Sequence, residues 1–319
     1  MASLDRALLL DLYRTLYTIR RFEESCIQLY RQGGIRGYLH PYLGEEAIAA
    51  GVCAALGPDD YIVSTHRGHG HCLARGGRLD RMFAEITGKA TGYCGGLGGS
   101  MHIADVEAGN LGANGIVGAG IPIGVGAALG ATIRGESRLC VVFSSDGATC
   151  HGTFGEALNM AALWDLPLLL VIENNQFAVA TSVDKATRLS ELHKRGLGYG
   201  VEGTRVDGND VAAVYERAAE ARERCLAGGG PVLLEAMTYR HAGHHVNDPG
   251  DYMPDDQLEH YKSRDPLILC RRRLAEAGAP ESDADAVEAE VEAGIEAALE
   301  FARTSPEPDV DAFVHQLPR

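Results

Sequence analysis

Residues 137–181 read SRLCVVFSSDGATCHGTFGEALNMAALWDLPLLLVIENNQFAVAT. The pattern predicts a buried strand, a tight polar turn, an amphipathic helix, a second buried strand and a second polar turn. Asp146 follows the first strand and Asn174-Asn175 the second. In an open parallel sheet both carboxyl ends lie along one edge, where ligands bind. A carboxylate and an amide oxygen far apart in the chain would therefore meet there. Oxygen-only donors favour a hard cation such as Mg2+, which keeps phosphate oxygens and water in its shell. Taken singly, an Asp-Gly or Asn-Asn turn is ordinary turn chemistry. Placed together at the ends of strands flanking one helix, they point to a magnesium-diphosphate site.

Outward from this unit, strand and helix alternate, which predicts an α/β fold with a mostly parallel sheet flanked by helices. The 319 residues are 45% hydrophobic, enough for one full core, and neither repeats nor flexible linkers interrupt them. The expectation is a single domain over residues 1–319, with an N-terminal helix (1–32) and a C-terminal helical extension (257–319). In the first helix Leu9, Leu12, Leu16, Ile19 and Phe22 fall at three- and four-residue steps. In the last, Val287, Val291, Ile295 and Leu299 make the stripe. Asp210 is a candidate helix N-cap, with glycines 228–230 as the stop. GIPIGVGAALGATIRG (120–135) reads as an apolar helix buried on most sides. Residues 88–120 are glycine-rich and without periodicity, and so long a structureless run is usually functional.

A net charge of −15 argues against nucleic acid as the main partner, which needs a basic face. No run of eighteen apolar residues reads as a membrane span. Eight scattered cysteines without CxxC spacing, and no secretory leader, predict reduced thiols in a cytoplasmic protein.

Three further segments carry candidate chemistry. HRGHGHC (66–72) follows a short strand and reads as a polar, histidine-rich turn; Arg67 suits an anion, since its fork donates two parallel hydrogen bonds to phosphate oxygens. Zinc is the competitor, but no second Cys or His pair stands at finger spacing. HAGHH (241–245) places histidines after an apolar strand, where one could move protons near neutral pH or lie on a mobile loop. GAGIPIGVG (118–126) lacks G-x-G-x-x-G spacing and a preceding strand, so close packing of the following helix explains its glycines better and nicotinamide binding is not expected.

The pair Asp146-Gly147 and Asn174-Asn175 resembles the thiamine diphosphate motif, in which GDG and NN are separated by a helix and a strand. GGSMH (98–102), NGIVGAG (114–120), FGEALNMAALWDLP (154–167), RVDGND (205–210) and GHHVNDPG (243–250) extend the match from about Ile19 to Pro308. Together they resemble the alpha subunit of the decarboxylating first component of 2-oxo acid dehydrogenase complexes. STHRGHGHC (64–72) and GKATGYCGG (88–96) look most like the acetoin dehydrogenase branch, with pyruvate dehydrogenase close behind.

The resemblance implies a thiamin diphosphate-binding fold and definite roles. Asp146, Asn175 and the Phe177 carbonyl would ligate Mg2+. His66, Arg67 and His244 would lie at the diphosphate, with Gly147 and Ala148 approaching it through backbone. Gly115 and Val117 would hold the aminopyrimidine through main chain. His40 would contact a 2-oxo acid, and His69 and His244 would line the catalytic end. A beta subunit would complete the site in a heterotetramer of two alpha and two beta chains, and a lipoyl acyltransferase would take the two-carbon product. The sequence departs from the family at Ser145, Cys150-His151, His66, Phe177 and His40-Pro41-Tyr42. His245 stands where regulated members carry a phosphorylated serine. The departures keep two alternatives in view: a thiamine diphosphate-dependent carbon–carbon ligase without a lipoyl partner, and a non-catalytic chain that pairs with a beta subunit.

Overall fold

Leu168, Leu170 and Ile172 of one strand face one apolar layer, while Leu169 and Val171 face another. Period-two alternation with both faces covered leaves that strand buried at every position, the pattern of a central parallel strand. Around it the protein, described by a computed structural model at residues 4–309, 311 and 314, builds its sheet. The remaining positions of the expected 1–32 helix and 257–319 extension lie outside the described residues.

The chain begins with α1 (Arg6–Arg31), α2 (Glu46–Ala54), β1 (Tyr61–Val63), α3 (His69–Ala74), α4 (Leu79–Ile86) and α5 (Gly120–Ile133). The organising unit follows as β2 (Cys140–Ser145), α6 (Gly152–Leu163) and β3 (Leu168–Asn174). A hairpin of β4 (Phe177–Ala178) and β5 (Thr181–Ser182) leads to α7 (Val183–Ala186), β6 (Glu202–Asp207), α8 (Val211–Leu226) and β7 (Val232–Met237). After these come α9 (Asp255–Ser263), α10 (Pro266–Glu276) and α11 (Glu281–Thr304).

The sheet order is β1-β2-β3-β7-β6, with every pairing parallel. Ser145 is level with Glu173 and Asn174 with Met237, so the segments after β1, β2, β3 and β7 emerge along one edge. The α/β fold read from the sequence is therefore the fold observed. One face packs on α2 and α8, the other on α5 and α6. On the second face Gly124 is a close approach: a Cβ there would lie 2.1 Å from Val142 Cγ2.

A separate apolar cluster joins α1 and α4 to α10 and α11. Leu9, Leu12, Leu16, Ile19 and Phe22 are all buried in it, as are Val287, Val291 and Ile295, with Leu299 partly buried. Asp210 caps α8 by accepting from Ala212 N at 3.2 Å and Ala213 N at 3.4 Å.

Two local expectations need correction. HRGHGHC is not all turn, because residues 69–74 form α3, packed against α1 and α2. Helix α5 is not buried on most sides, because only the stripe Ile121, Gly124, Val125, Ala128 and Ala131 is covered. Ile123 and Ile133 of α5 lie exposed, as do Met160 and Leu163 of the neighbouring α6. All eight cysteines are free, and no helix among the described residues is long and apolar enough to cross a membrane.

Candidate active site

Four strand ends supply the walls of one cavity of about 170 Å³. Thr65, His66 and Arg67 come from beyond β1, Asp146 and Gly147 from beyond β2, Asn175 and Phe177 from beyond β3, and Arg240 and His244 from beyond β7. His40 and Glu45 enter from the segment before α2, and Gly115 and Val117 from the glycine-rich run before α5. A larger open trough of about 690 Å³ is lined in part by Phe177 and Ser182 of the β4–β5 hairpin, but none of these strand-end histidines or Asp146 lines it.

At the cation-suited corner, Asp146 is 4% exposed, and its Oδ1 is buried with no hydrogen-bond partner. Burial pushes its carboxyl up to about 6, against the opposing pull of Arg240. An uncompensated buried carboxylate oxygen is costly unless a cation or donor meets it. Asn175 shares the corner, and its Oδ1 accepts only a long bond of 3.4 Å from Phe177 N. Between them Gln176 takes a left-handed φ of 72°, which L residues rarely adopt. It is over-determined: Gln176 Nε2 donates to Thr238 O at 3.1 Å and Tyr261 OH at 2.8 Å. Strain held this way is typical of functional turns. Gly147 sets the spacing of the two turns, since a Cβ there would come within 2.8 Å of Ala178 Cβ.

Beside this corner, Arg67 is buried, with Nη1 donating to Pro41 O at 2.5 Å and Nη2 to His244 O at 3.0 Å. Each terminal nitrogen keeps a second hydrogen for an anion. Arg240, 2% exposed, donates to His244 Nδ1 at 3.0 Å, Val179 O at 2.9 Å and Tyr252 OH at 3.0 Å.

His40, His66 and His244 converge, their ring nitrogens within 4.8 Å of one another. Burial, reinforced by the charge of Arg67, holds them neutral: His40 falls to about 2, His66 to about 3 and His244 to about 4. Three neutral imidazoles could suit a transition metal. The guanidiniums argue otherwise: the Arg240 donor to Nδ1 leaves the His244 proton on Nε2, facing away as a donor. The cluster is thus better built to handle oxygen atoms than metal.

Of the residues singled out in the sequence, His40, His66, Arg67, Gly115, Val117, Asp146, Gly147, Asn175, Phe177 and His244 line the cavity. Ala148 lines an adjoining narrow crevice with Thr65, His66 and Val117. His69 does not line the cavity. Helix α3 turns it inward at 0% exposure, where Nδ1 meets Glu23 at 3.0 Å and Nε2 meets Ser100 Oγ at 2.9 Å. Sequence reasoning missed Glu45, Glu173 and Arg240. Glu173 accepts from Tyr42 OH and pairs with His71 Nε2 at 2.9 Å, while His71 Nδ1 meets Ser64 Oγ at 2.8 Å. The adjacency of Glu173 to Asn174-Asn175 and of Arg240 to HAGHH was the available signal.

Comparison with known proteins agrees with this geometry over almost the whole chain. Residues 14–311 match the family described as "Dehydrogenase E1 component". The alpha subunit of acetoin:2,6-dichlorophenolindophenol oxidoreductase from Bacillus subtilis (strain 168) is 46% identical over 310 residues, covering 96% of this chain and 92% of that protein. Its counterpart from Cupriavidus necator is 45% identical over 307 residues, 96% of this chain and 92% of that one. The pyruvate dehydrogenase E1 component subunit alpha of Rhizobium meliloti is 40% identical over 303 residues, 94% of this chain and 87% of the relative. With a buried strand-end Asp–Asn pair, an adjoining arginine and full-length similarity of this degree, the chain belongs to the dehydrogenase E1 component family.

Proposed function

We propose that this chain is the alpha subunit of a thiamine diphosphate-dependent oxidoreductase that acts on acetoin or a small 2-oxo acid such as pyruvate. It would be active only with a beta subunit, in a heterotetramer of two alpha and two beta chains, and would deliver its product to a lipoyl acyltransferase in the cytoplasm. In this reading residues 1–319 act as one domain with helical additions at both ends. The observation that carries it is the buried, unpartnered Oδ1 of Asp146 beside Asn175 and within the same cavity as Arg67. A carboxylate, an amide oxygen and a peptide carbonyl are hard donors suited to Mg2+, and the guanidinium suits the diphosphate that Mg2+ would share. The greater identity to the two acetoin relatives than to the pyruvate relative puts acetoin first.

Asp146, Asn175 and the Phe177 carbonyl would hold Mg2+. Bound thiamine diphosphate supplies a carbanion and an electron sink. Arg67, His66 and His244 would hold its diphosphate, with the Gly147 and Ala148 backbone alongside, and Gly115 and Val117 would offer main chain to its ring. His40, held neutral by burial and the charge of Arg67, can exchange a hydrogen bond with a substrate hydroxyl without taking its proton. His244, with Nδ1 engaged by Arg240, can donate from Nε2 to a substrate or phosphate oxygen. His69, behind Ser100, would position the wall rather than touch substrate.

A partner chain is supported by the subunit names of the relatives and by the uncovered apolar faces of α5 and α6. The test is to co-express the chain with a beta subunit and measure thiamine diphosphate binding with and without Mg2+, and product formation from acetoin and pyruvate. Asp146→Ala should weaken Mg2+-dependent cofactor binding at least about tenfold, as expected when a ligand or its support is removed. Unchanged affinity in that variant would overturn the reading.

A further inference from the structure

Asn175 can serve a cation only if its oxygen, and not its NH2, faces the cavity. The two ends of an amide have nearly the same shape, so only the chemistry of their neighbours tells them apart. In this structure the neighbour on the Nδ2 side is Glu45, whose Oε2 accepts from Asn175 Nδ2 at 3.0 Å. The other carboxylate oxygen lies 3.3 Å from Arg67 Nε. Glu45 is 1% exposed, so neither contact is shared with bulk water. Its position at the turn into α2 separates it from its neighbour in sequence: Glu46 faces away and binds Arg20 Nε at 2.7 Å and Gly44 N at 3.0 Å.

We infer that Glu45 is a positioning residue that fixes the orientation of the Asn175 amide while ion-paired with Arg67, joining the cation-holding and anion-holding halves of the site. An acceptor is what the Nδ2 end requires, and Glu45 Oε2 supplies one. With Nδ2 tied back, Oδ1 is the end presented to the cavity beside the unpartnered Asp146 Oδ1. With Glu45 removed, nothing else hydrogen-bonded to the amide would prefer oxygen over nitrogen at the cation except the 3.4 Å bond from Phe177 N. The inference rests on the magnesium-diphosphate reading above.

The experiment titrates Mn2+ into the cofactor-stripped complex with its beta subunit at fixed thiamine diphosphate, following free Mn2+ by paramagnetic resonance. Glu45→Leu should weaken Mn2+ about 10–100-fold, the range for lost outer-layer partners of a metal ligand. Asn175→Asp added to Glu45→Leu should restore affinity to within about threefold of wild type, because a carboxylate has no wrong end; this non-additivity is the signature of the coupling. Glu45→Gln, which keeps an acceptor oxygen and guards against a fold too damaged to assay, should also stay within about threefold. Wild-type affinity in Glu45→Leu, a double variant as weak as Glu45→Leu, or a Glu45→Gln equally weak would each overturn the role of Glu45. Absence of Mn2+ binding by the wild-type complex would overturn the underlying reading and the inference with it.

Discussion

The three cavity histidines set how this protein should respond to acid. Their folded values, about 2 for His40, 3 for His66 and 4 for His244, lie below the ordinary 6.5 because burial and Arg67 disfavour their charged forms. Below pH 6.5 the unfolded chain therefore binds protons that the folded chain refuses. Stability rises with pH wherever the unfolded state holds more protons, so the contribution is complete above 6.5 and is lost on acidification toward 4 and below. Each histidine can cost at most about 1.4 kcal/mol per pH unit in that window. Thermal midpoints of the cofactor-free complex from pH 7 to 5 should fall, and a His40→Gln, His66→Gln, His244→Gln variant should fall less steeply. Equal slopes would mean that other groups carry the acid sensitivity. At this scale the sequence was partly legible. Asp146 and Asn175 announced themselves because each stands directly after an apolar strand. Glu45 and Arg240 did not, because their roles depend on partners brought from other strand ends: Asn175 and Arg67 for Glu45, Val179 for Arg240.

Elements are held in place by contacts that leave no room for a methyl group. Gly124 in α5 faces Val142 of β2, and a Cβ would sit 2.1 Å from Val142 Cγ2 and 3.5 Å from Cys140 Sγ. Gly124→Ala should therefore push α5 off the sheet at a cost of about 1–3 kcal/mol, the usual range for overpacking. That exceeds the roughly 1 kcal/mol that alanine gains over glycine in a helix. A lowered denaturation midpoint would bear this out, and a raised one would show that the contact is slack. Small residues in 120–135 were legible as close packing, but which face they served was not, because the apolar pattern runs all round the helix. The glycines at 68 and 70 likewise concealed α3, whose stability comes from packing on α1 and α2 rather than from propensity. By contrast the 257–319 extension was legible as helical but not in its breaks: Asp265 accepts from Leu267 N at 2.8 Å with Pro266 opening α10, which separates it from α9.

For the whole molecule, the apolar surface that the fold leaves uncovered is the strongest pointer to assembly. Ile133 is 76% exposed on α5 and Leu163 71% exposed on α6, two helices packed side by side on one face of the sheet. Ile123 of α5, Met160 of α6 and Trp164 at the end of α6 are exposed as well. Single exposed apolar residues need no explanation, but a group on adjacent helices marks an interaction surface. Under the proposed function the occupant is the beta subunit. Its contact would bury these side chains at roughly 25 cal/mol per Å² of apolar area removed from water. A charge placed there must be desolvated on association, so Leu163→Asp should weaken co-purification with the beta subunit by at least tenfold while leaving the isolated chain folded. Ile268→Asp is the matched control: its side chain is 48% exposed on α10, a helix whose Cys270 and Leu274 belong to the separate cluster, and the change should leave assembly unchanged. Size-exclusion chromatography of the co-expressed pair distinguishes the outcomes. Loss of the complex with Leu163→Asp alone places the partner on α5 and α6, whereas loss with Ile268→Asp alone would move it to the α10 side of the molecule.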